Sequence, residues 1–199
     1  MASLLKRRPS KKRREENYRH NLVAEQSKEM QKAKDETEGL IIKQSGLKGM
    51  RYGDSTSDFN GCGWIAAYNV RRMLGEDVTP AEVIRDMEDT TLLGGVFGTH
   101  PFEMARYLSE QGYDVTCTMS GKNMEKAAEE ADAGIYFYMY KEKGEWPRGH
   151  NMAFRKSKRG RNGRYTFYNW DDKKEVVTIP ELIEKEKPFA HVLITVKRR

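Results

Sequence analysis

In SDFNGCGWIAAYNVRRMLG, Ser57 to Gly75, a cysteine stands between two glycines, directly ahead of an apolar run at helical spacing. A free thiol has a pKa near ~8.5, and a helix N-terminus or an adjacent imidazolium can bring it to about 3.5–7.5. Cys62 therefore sits where a helix dipole favours the thiolate. The unpaired N–H groups of a first helical turn are also available there to a tetrahedral oxyanion. Gly61 and Gly63 let a substrate backbone approach closely. The ordinary alternative for such a cysteine is a small buried hydrophobe.

A thiolate nucleophile needs a base, and the base needs a group that orients it. Four histidines compete. His20 lies in a highly charged N-terminal stretch, and His191 lies within a hydrophobic strand. His100 follows Thr99, the expected cap of a helix, where its cation would oppose the helix dipole. His150 follows WPRG and opens the strand HNMAFR, a loop-to-strand edge where an imidazole can face a cleft. The next strand, RYTFYN, returns across a hairpin and delivers Asn169 near the level of His150. Asp171 and Asp172 stand just beyond as reserve orienting groups.

Cysteine at a helix start, then histidine opening a strand, then Asn or Asp on the following strand resembles the order of the papain-like cysteine peptidases. The segments NGCGWIAAYNV, GGVFGTHPFEMARYLSEQGYDV and GHNMAF are most similar to the bacteriocin-processing type, which cleaves leader peptides after a double glycine. The resemblance spans Met50 to the C-terminus and implies Cys62 as nucleophile, His150 as base and Asn169 as orienting residue. It also implies a papain-like fold. Those peptidases carry a glutamine about six residues ahead of the cysteine to complete the oxyanion hole; here that position is Thr56. Asn60, two residues before Cys62, is the candidate amide in its place, with Gln44 a second if the chain loops back. The third member is usually Asp in that family, so Asn169, Asp171 and Asp172 all remain in contention.

The remaining residues must build the elements that hold this set. The chain has 199 residues, 37% hydrophobic and 33% charged, which suits one globular domain with a real core. No apolar run approaches the ~18 residues of a membrane span, and the start, MASLLKRRPSKKRREE, lacks the apolar stretch of a secretory signal. Two cysteines, Cys62 and Cys117, give neither a disulfide framework nor metal-ligand spacing. The expectation is a soluble, cytoplasmic protein needing no metal or cofactor. Its net charge of +6 resides in residues 1–20, and the rest is neutral. Residues 1–38 thus read as a basic, charged tail with an exposed helix or disorder, and 39–199 as the peptidase-like domain. A solvated arm is the plain reading of the tail; a weak contact with polyanions through counterion release is the sharper one.

Within 39–199 the pattern changes from helices to strands. Helices are expected after Gly61, after the capping box Thr79–Pro80–Ala81–Glu82, and over roughly Pro101 to Gln111. YDVTCTM, IYFYMY, HNMAFR, RYTFYNW and AHVLITV follow as short strands, with small helices near Met124–Ala131 and Pro180–Glu186. The fold class is α+β, a helical half packed on one face of an antiparallel meander. The function expected is a thiol hydrolase cleaving a peptide or protein substrate through an acyl-enzyme. An acyltransferase or deamidase would use the same triad. A non-catalytic peptidase-like binding protein, using the tail and the basic Arg155–Arg164 hairpin, is the reading from another class.

Overall fold

The computed structural model describes residues 8–92, 98–141, 144, 146–157 and 163–199. The readings made of Lys6 and Arg7, of the centre of the LLGGVFGTHP loop and of the tip of the Arg155–Arg164 hairpin lie outside the described residues.

The chain begins with α1 (Lys11–Ala24) and α2 (Lys28–Ala33), each started by a serine whose hydroxyl accepts from the third residue beyond it. A short turn at Gln44–Gly46 leads to a two-residue hairpin, β1 (Arg51–Tyr52) and β2 (Ser55–Thr56). One helical turn, α3 (Ser57–Asn60), runs through Gly61 into α4 (Cys62–Met73). Next comes α5 (Pro80–Met87), where both hydrogen bonds of the expected capping box are present. The last helix of this half is α6 (Pro101–Glu110), capped by His100 itself, whose Nδ1 accepts from the Phe102 N–H.

The second half contains β3 (Asp114–Thr118), α7 (Gly121–Glu130), β4 (Ala133–Tyr140), β5 (Arg148–Lys156) and β6 (Tyr165–Trp170). It ends with β7 (Lys173–Val177), α8 (Ile179–Glu186) and β8 (Ala190–Lys197). The six long strands form one antiparallel sheet in the order β3-β8-β4-β5-β6-β7. The sheet is not a meander in chain order, because β8 returns to lie between β3 and β4. The lysine-rich β7 carries no apolar alternation, which is why its composition gave no strand signal.

The fold is α+β, with the helical half on the sheet as expected, but both faces of the sheet are covered. Ile135, Ala153 and Ile194 face α4, α5 and α6, whereas their strand neighbours Tyr136, Met152, Phe154 and Leu193 pack with residues of α7 and α8. Period-2 alternation on β4, β5 and β8 divides the core in this way. Among the described residues no helix is long and apolar enough to cross a membrane, and no cluster of His, Cys, Asp or Glu could hold a metal ion.

The N-terminal segment departs from the expected tail. Met30 and Ala33 belong to the main core, and α1 lies against α5. Asn21 is fully buried and spans the Arg51 backbone, donating from Nδ2 to its carbonyl and accepting its N–H at Oδ1, both at 2.8 Å. Asn17 donates to the Gly53 carbonyl at 2.8 Å and to Glu88 Oε1 at 2.6 Å. Arg13 and Arg14 pair with Asp54 and Asp89, so part of the basic cluster faces the protein's own carboxylates. The low apolar content of α1 concealed this, because the helix docks through buried amides rather than a hydrophobic stripe. A boundary at 38/39 therefore cuts through packed structure.

Two outcomes follow from this docking. Asn21→Ala strands a buried N–H and C=O of Arg51, and should lower stability by about 1–3 kcal/mol in urea unfolding. Glu88 is fully buried, and burial, partly offset by Asn17, the Gly53 N–H and the Arg14 and Arg13 charges, raises its carboxyl from 4.5 to about 7. A raised acid pKa means the folded state keeps a proton that the unfolded chain releases. Its contribution to stability is thus fully present below pH 4.5 and is lost as pH rises to about 7. Glu88→Gln should flatten that decline in denaturation midpoints measured from pH 5 to 8.

Candidate active site

Cys62 opens α4, whose residues from Cys62 to Val70 are all buried, and that helix packs on β5. Cys62 as a residue is 8% exposed. The flanking glycines are required by the protein's own packing. A Cβ at Gly61 would strike the Ser57 carbonyl and Trp64 Nε1, and one at Gly63 would lie 2.7 Å from Thr99 Cβ. These glycines let α3 join α4, and let the Thr99 segment close over the helix start. Thr99 is held in turn by Tyr52, whose hydroxyl lies 2.5 Å from Thr99 Oγ1.

His150 stands near the start of β5, partly exposed and edge-on to Tyr138. Its Nε2 lies 2.6 Å from the backbone carbonyl of Asn169. A carbonyl only accepts, so Nε2 carries a proton and Nδ1 is the nitrogen left for the thiol, with which the imidazole interacts electrostatically. Asn169 is placed by an irregular turn at the end of β6: the β6–β7 register shifts between Tyr168 and Trp170, and Asn169 has φ 65°. Asp171 and Asp172 share that left-handed geometry.

The Asn169 side chain does not reach for His150. It clasps Gln44, accepting the Gln44 N–H at Oδ1 (3.2 Å) and donating from Nδ2 to Gln44 Oε1 (3.1 Å). Asp172 secures the adjacent residue, accepting from the N–H and hydroxyl of Ser45. Asp171 acts on His150 through its charge. The chain therefore does loop back to bring Gln44 beside α3, where its Nε2 donates to the Asp58 carbonyl at 3.2 Å. Asn60, expected as an oxyanion donor, is buried with its Nδ2 directed to the Tyr52 carbonyl at 3.2 Å. That bond braces the β1 strand with one of the two Nδ2 hydrogens.

Sequence reasoning missed Asn151. Its Nδ2 donates to Cys62 Sγ at 3.3 Å. It follows His150 on β5 and falls on the α4-facing side with Ala153. The one available signal was a polar residue on the strand face that α4 covers.

These contacts set the ionisation of the pair. Burial by itself pushes the Cys62 thiol up, but the interaction with His150 and the Asn151 donor bring it below its usual value. Burial pushes His150 down, yet the Cys62 contact, the Asn169 carbonyl and the Asp171 charge leave it above its usual value. Both directions favour a thiolate–imidazolium pair. The other histidines take no part: His20 meets the Gly49 carbonyl, His100 caps α6 and His191 meets the Tyr136 hydroxyl.

No family model and no curated protein matches the chain. Among solved structures it is similar to the peptidase domain of Streptococcus ComA, a bi-functional ABC transporter involved in a quorum sensing pathway. That likeness has a TM-score of 0.49 and 11% sequence identity, covering 69% of this chain and 91% of that one. The chemistry of the site rests on this chain's own residues.

The two thiols should differ in a way opposite to their exposure. Cys117 is exposed on β3, but partial burial of its sulfur raises its pKa, whereas that of Cys62 is lowered. At pH 6 iodoacetamide should label Cys62 faster than Cys117, as read by peptide mass mapping. The preference should shrink as pH rises and Cys117 ionises. Equal labelling at pH 6 would remove the thiolate from Cys62.

Proposed function

We propose that this chain is a cysteine hydrolase that cleaves an amide bond of a peptide or protein through a thioester acyl-enzyme. The observation that carries the reading is the electrostatic pairing of the Cys62 thiol with the His150 imidazole, whose Nε2 is held 2.6 Å from the Asn169 carbonyl. Its order along the chain, and its placement on a helix start, a strand and the next strand, match the papain-like arrangement.

The thiolate of Cys62 attacks the substrate carbonyl carbon, forming the S–C bond while the C=O pair moves to oxygen. The His150 imidazolium gives its Nδ1 proton to the departing amine as the C–N bond breaks. His150, now neutral, takes a proton from water, and the resulting hydroxide attacks the thioester. The acid product leaves, and the thiolate–imidazolium pair is restored. Throughout, the Asn169 carbonyl holds Nε2–H and so keeps Nδ1 toward the reacting atoms. The burial of Cys62 strengthens these electrostatic contacts by limiting water around them.

Digestion of a peptide library with mass-spectrometric readout tests the activity. Cleavage products should appear with the wild-type chain and be absent with Cys62→Ala. The rate should rise with pH through a limb below the ordinary thiol pKa, and fall through one above the ordinary imidazole pKa. His150→Ala should lower kcat/KM by roughly 10²–10⁴-fold. Asn169→Gly keeps the carbonyl and tolerates φ 65°, so its loss should stay within about tenfold. Should Asn169→Gly prove as damaging as His150→Ala, the side chain and not the carbonyl would be the orienting group.

A further inference from the structure

Three side-chain amides surround the start of α4, and two of them are anchored to backbone carbonyls away from the sulfur. Gln44 is bound at both ends, its Nε2 to the Asp58 carbonyl and its Oε1 to Asn169. Asn60 Nδ2 is bound to the Tyr52 carbonyl. Asn151 differs from both, because its amide donates to the nucleophilic sulfur itself. It is 2% exposed, and its Oδ1 has no hydrogen-bond partner although it is buried.

Asn17 also leaves a buried Oδ1 unpaired while its Nδ2 donates to the Gly53 carbonyl and Glu88, but a buried asparagine can use both ends of its carboxamide. Asn21 does so with Arg51 and Asn69 does so with Ile41, each donating from Nδ2 and accepting at Oδ1. Leaving one end unpaired in the interior costs about 1–3 kcal/mol. At Asn151 that cost accompanies a carboxamide fixed at one end only, to an atom whose charge departs during the reaction. The backbone around it supports the same placement. β6 pairs with β5 only from Ala153 onward, so Asn151 lies beyond the paired stretch on the strand that α4 packs against.

We propose that the Asn151 carboxamide is the side-chain oxyanion donor of this site, an inference that rests on the hydrolase reading above. In the free protein its Nδ2–H holds the Cys62 sulfur. As the S–C bond forms and the carbonyl π pair moves to oxygen, sulfur loses its negative charge. The charge reappears on an atom joined to the same carbon, within reach of a small turn of the carboxamide. The N–H···S bond gives way to N–H···O⁻. A donor that binds the developing charge more strongly than the resting state lowers the barrier.

Two probes of Cys62 separate this role from simple support of the thiolate. Iodoacetamide alkylates sulfur by displacement with no oxyanion, whereas p-nitrophenyl acetate acylates it through a tetrahedral oxyanion. Both rates are measured on the full chain by mass of the Cys62 peptide, for wild type, Asn151→Ala and the closely isosteric Asn151→Leu. Comparison is made on the alkaline plateau of each variant's alkylation profile, where thiolate formation is complete, and circular dichroism identifies the folded variants. The expected result is a fall in acylation of about 10²-fold, with alkylation changed only a few-fold. A parallel fall of both rates, or no fall in acylation, would overturn the assignment. The hydrolase reading fails separately, if wild-type Cys62 is no more reactive than Cys117 at pH 6; the acylation-to-alkylation ratio still reports on Asn151 in that case.

Discussion

Burying Cys62 and His150 side by side opposes the ionisation of either one alone. Desolvation raises a thiol and lowers an imidazole, so each group by itself would stay neutral. Together, with a donor on the sulfur and an acceptor on Nε2, the charged pair becomes the favoured state. That compensation requires the start of α4 to meet β5 at close range. Gly63 beneath Thr99, Gly61 against Ser57, and Thr99 held by Tyr52 all serve the approach. Small residues at the helix start thus act by permitting close contact between elements.

The turn after β6 couples two parts of the site. Its left-handed residues, Asn169, Asp171 and Asp172, aim one backbone carbonyl at His150 and two side chains at the Gln44–Ser45 segment. Asn and Asp adopt such φ values more readily than other non-glycine residues, so composition and geometry agree there. Shifting this turn would release the imidazole and the 44–46 turn together. The site is therefore organised by the irregular end of β6 as well as by the regular strands.

Much of this was legible in residue types. Thr79–Glu82 announced a helix start, the apolar periodicity after Gly61 announced α4, and the alternating strands identified five of the six in the main sheet. Cys62, His150 and Asn169 could be picked out because each combines a reactive or polar group with an element boundary. The hydrogen-bond pattern was not legible. Whether Asn169 orients His150 through its carbonyl or its amide depends on a bulge that no residue type specifies. Asn151 and Asn60 read alike in sequence, yet one reaches sulfur and the other a backbone carbonyl. The docking of α1 was concealed for a related reason, since two buried asparagines leave no trace in an apolar periodicity.

That docking ties the N-terminal helix to the site through ordinary packing. Glu88 accepts from Asn17 of α1 and from the Gly53 N–H in the β1–β2 turn. Tyr52, one residue before Gly53, reaches the Met87 carbonyl and Thr99 with its hydroxyl. Its own carbonyl accepts from Asn60, two residues ahead of Cys62. The β1–β2 hairpin is therefore gripped on one side by α1 and the end of α5, and on the other by Asn60, just ahead of α4. A basic segment that reads as an appendage is, in the folded chain, packed against the hairpin whose Tyr52 carbonyl holds Asn60 ahead of α4.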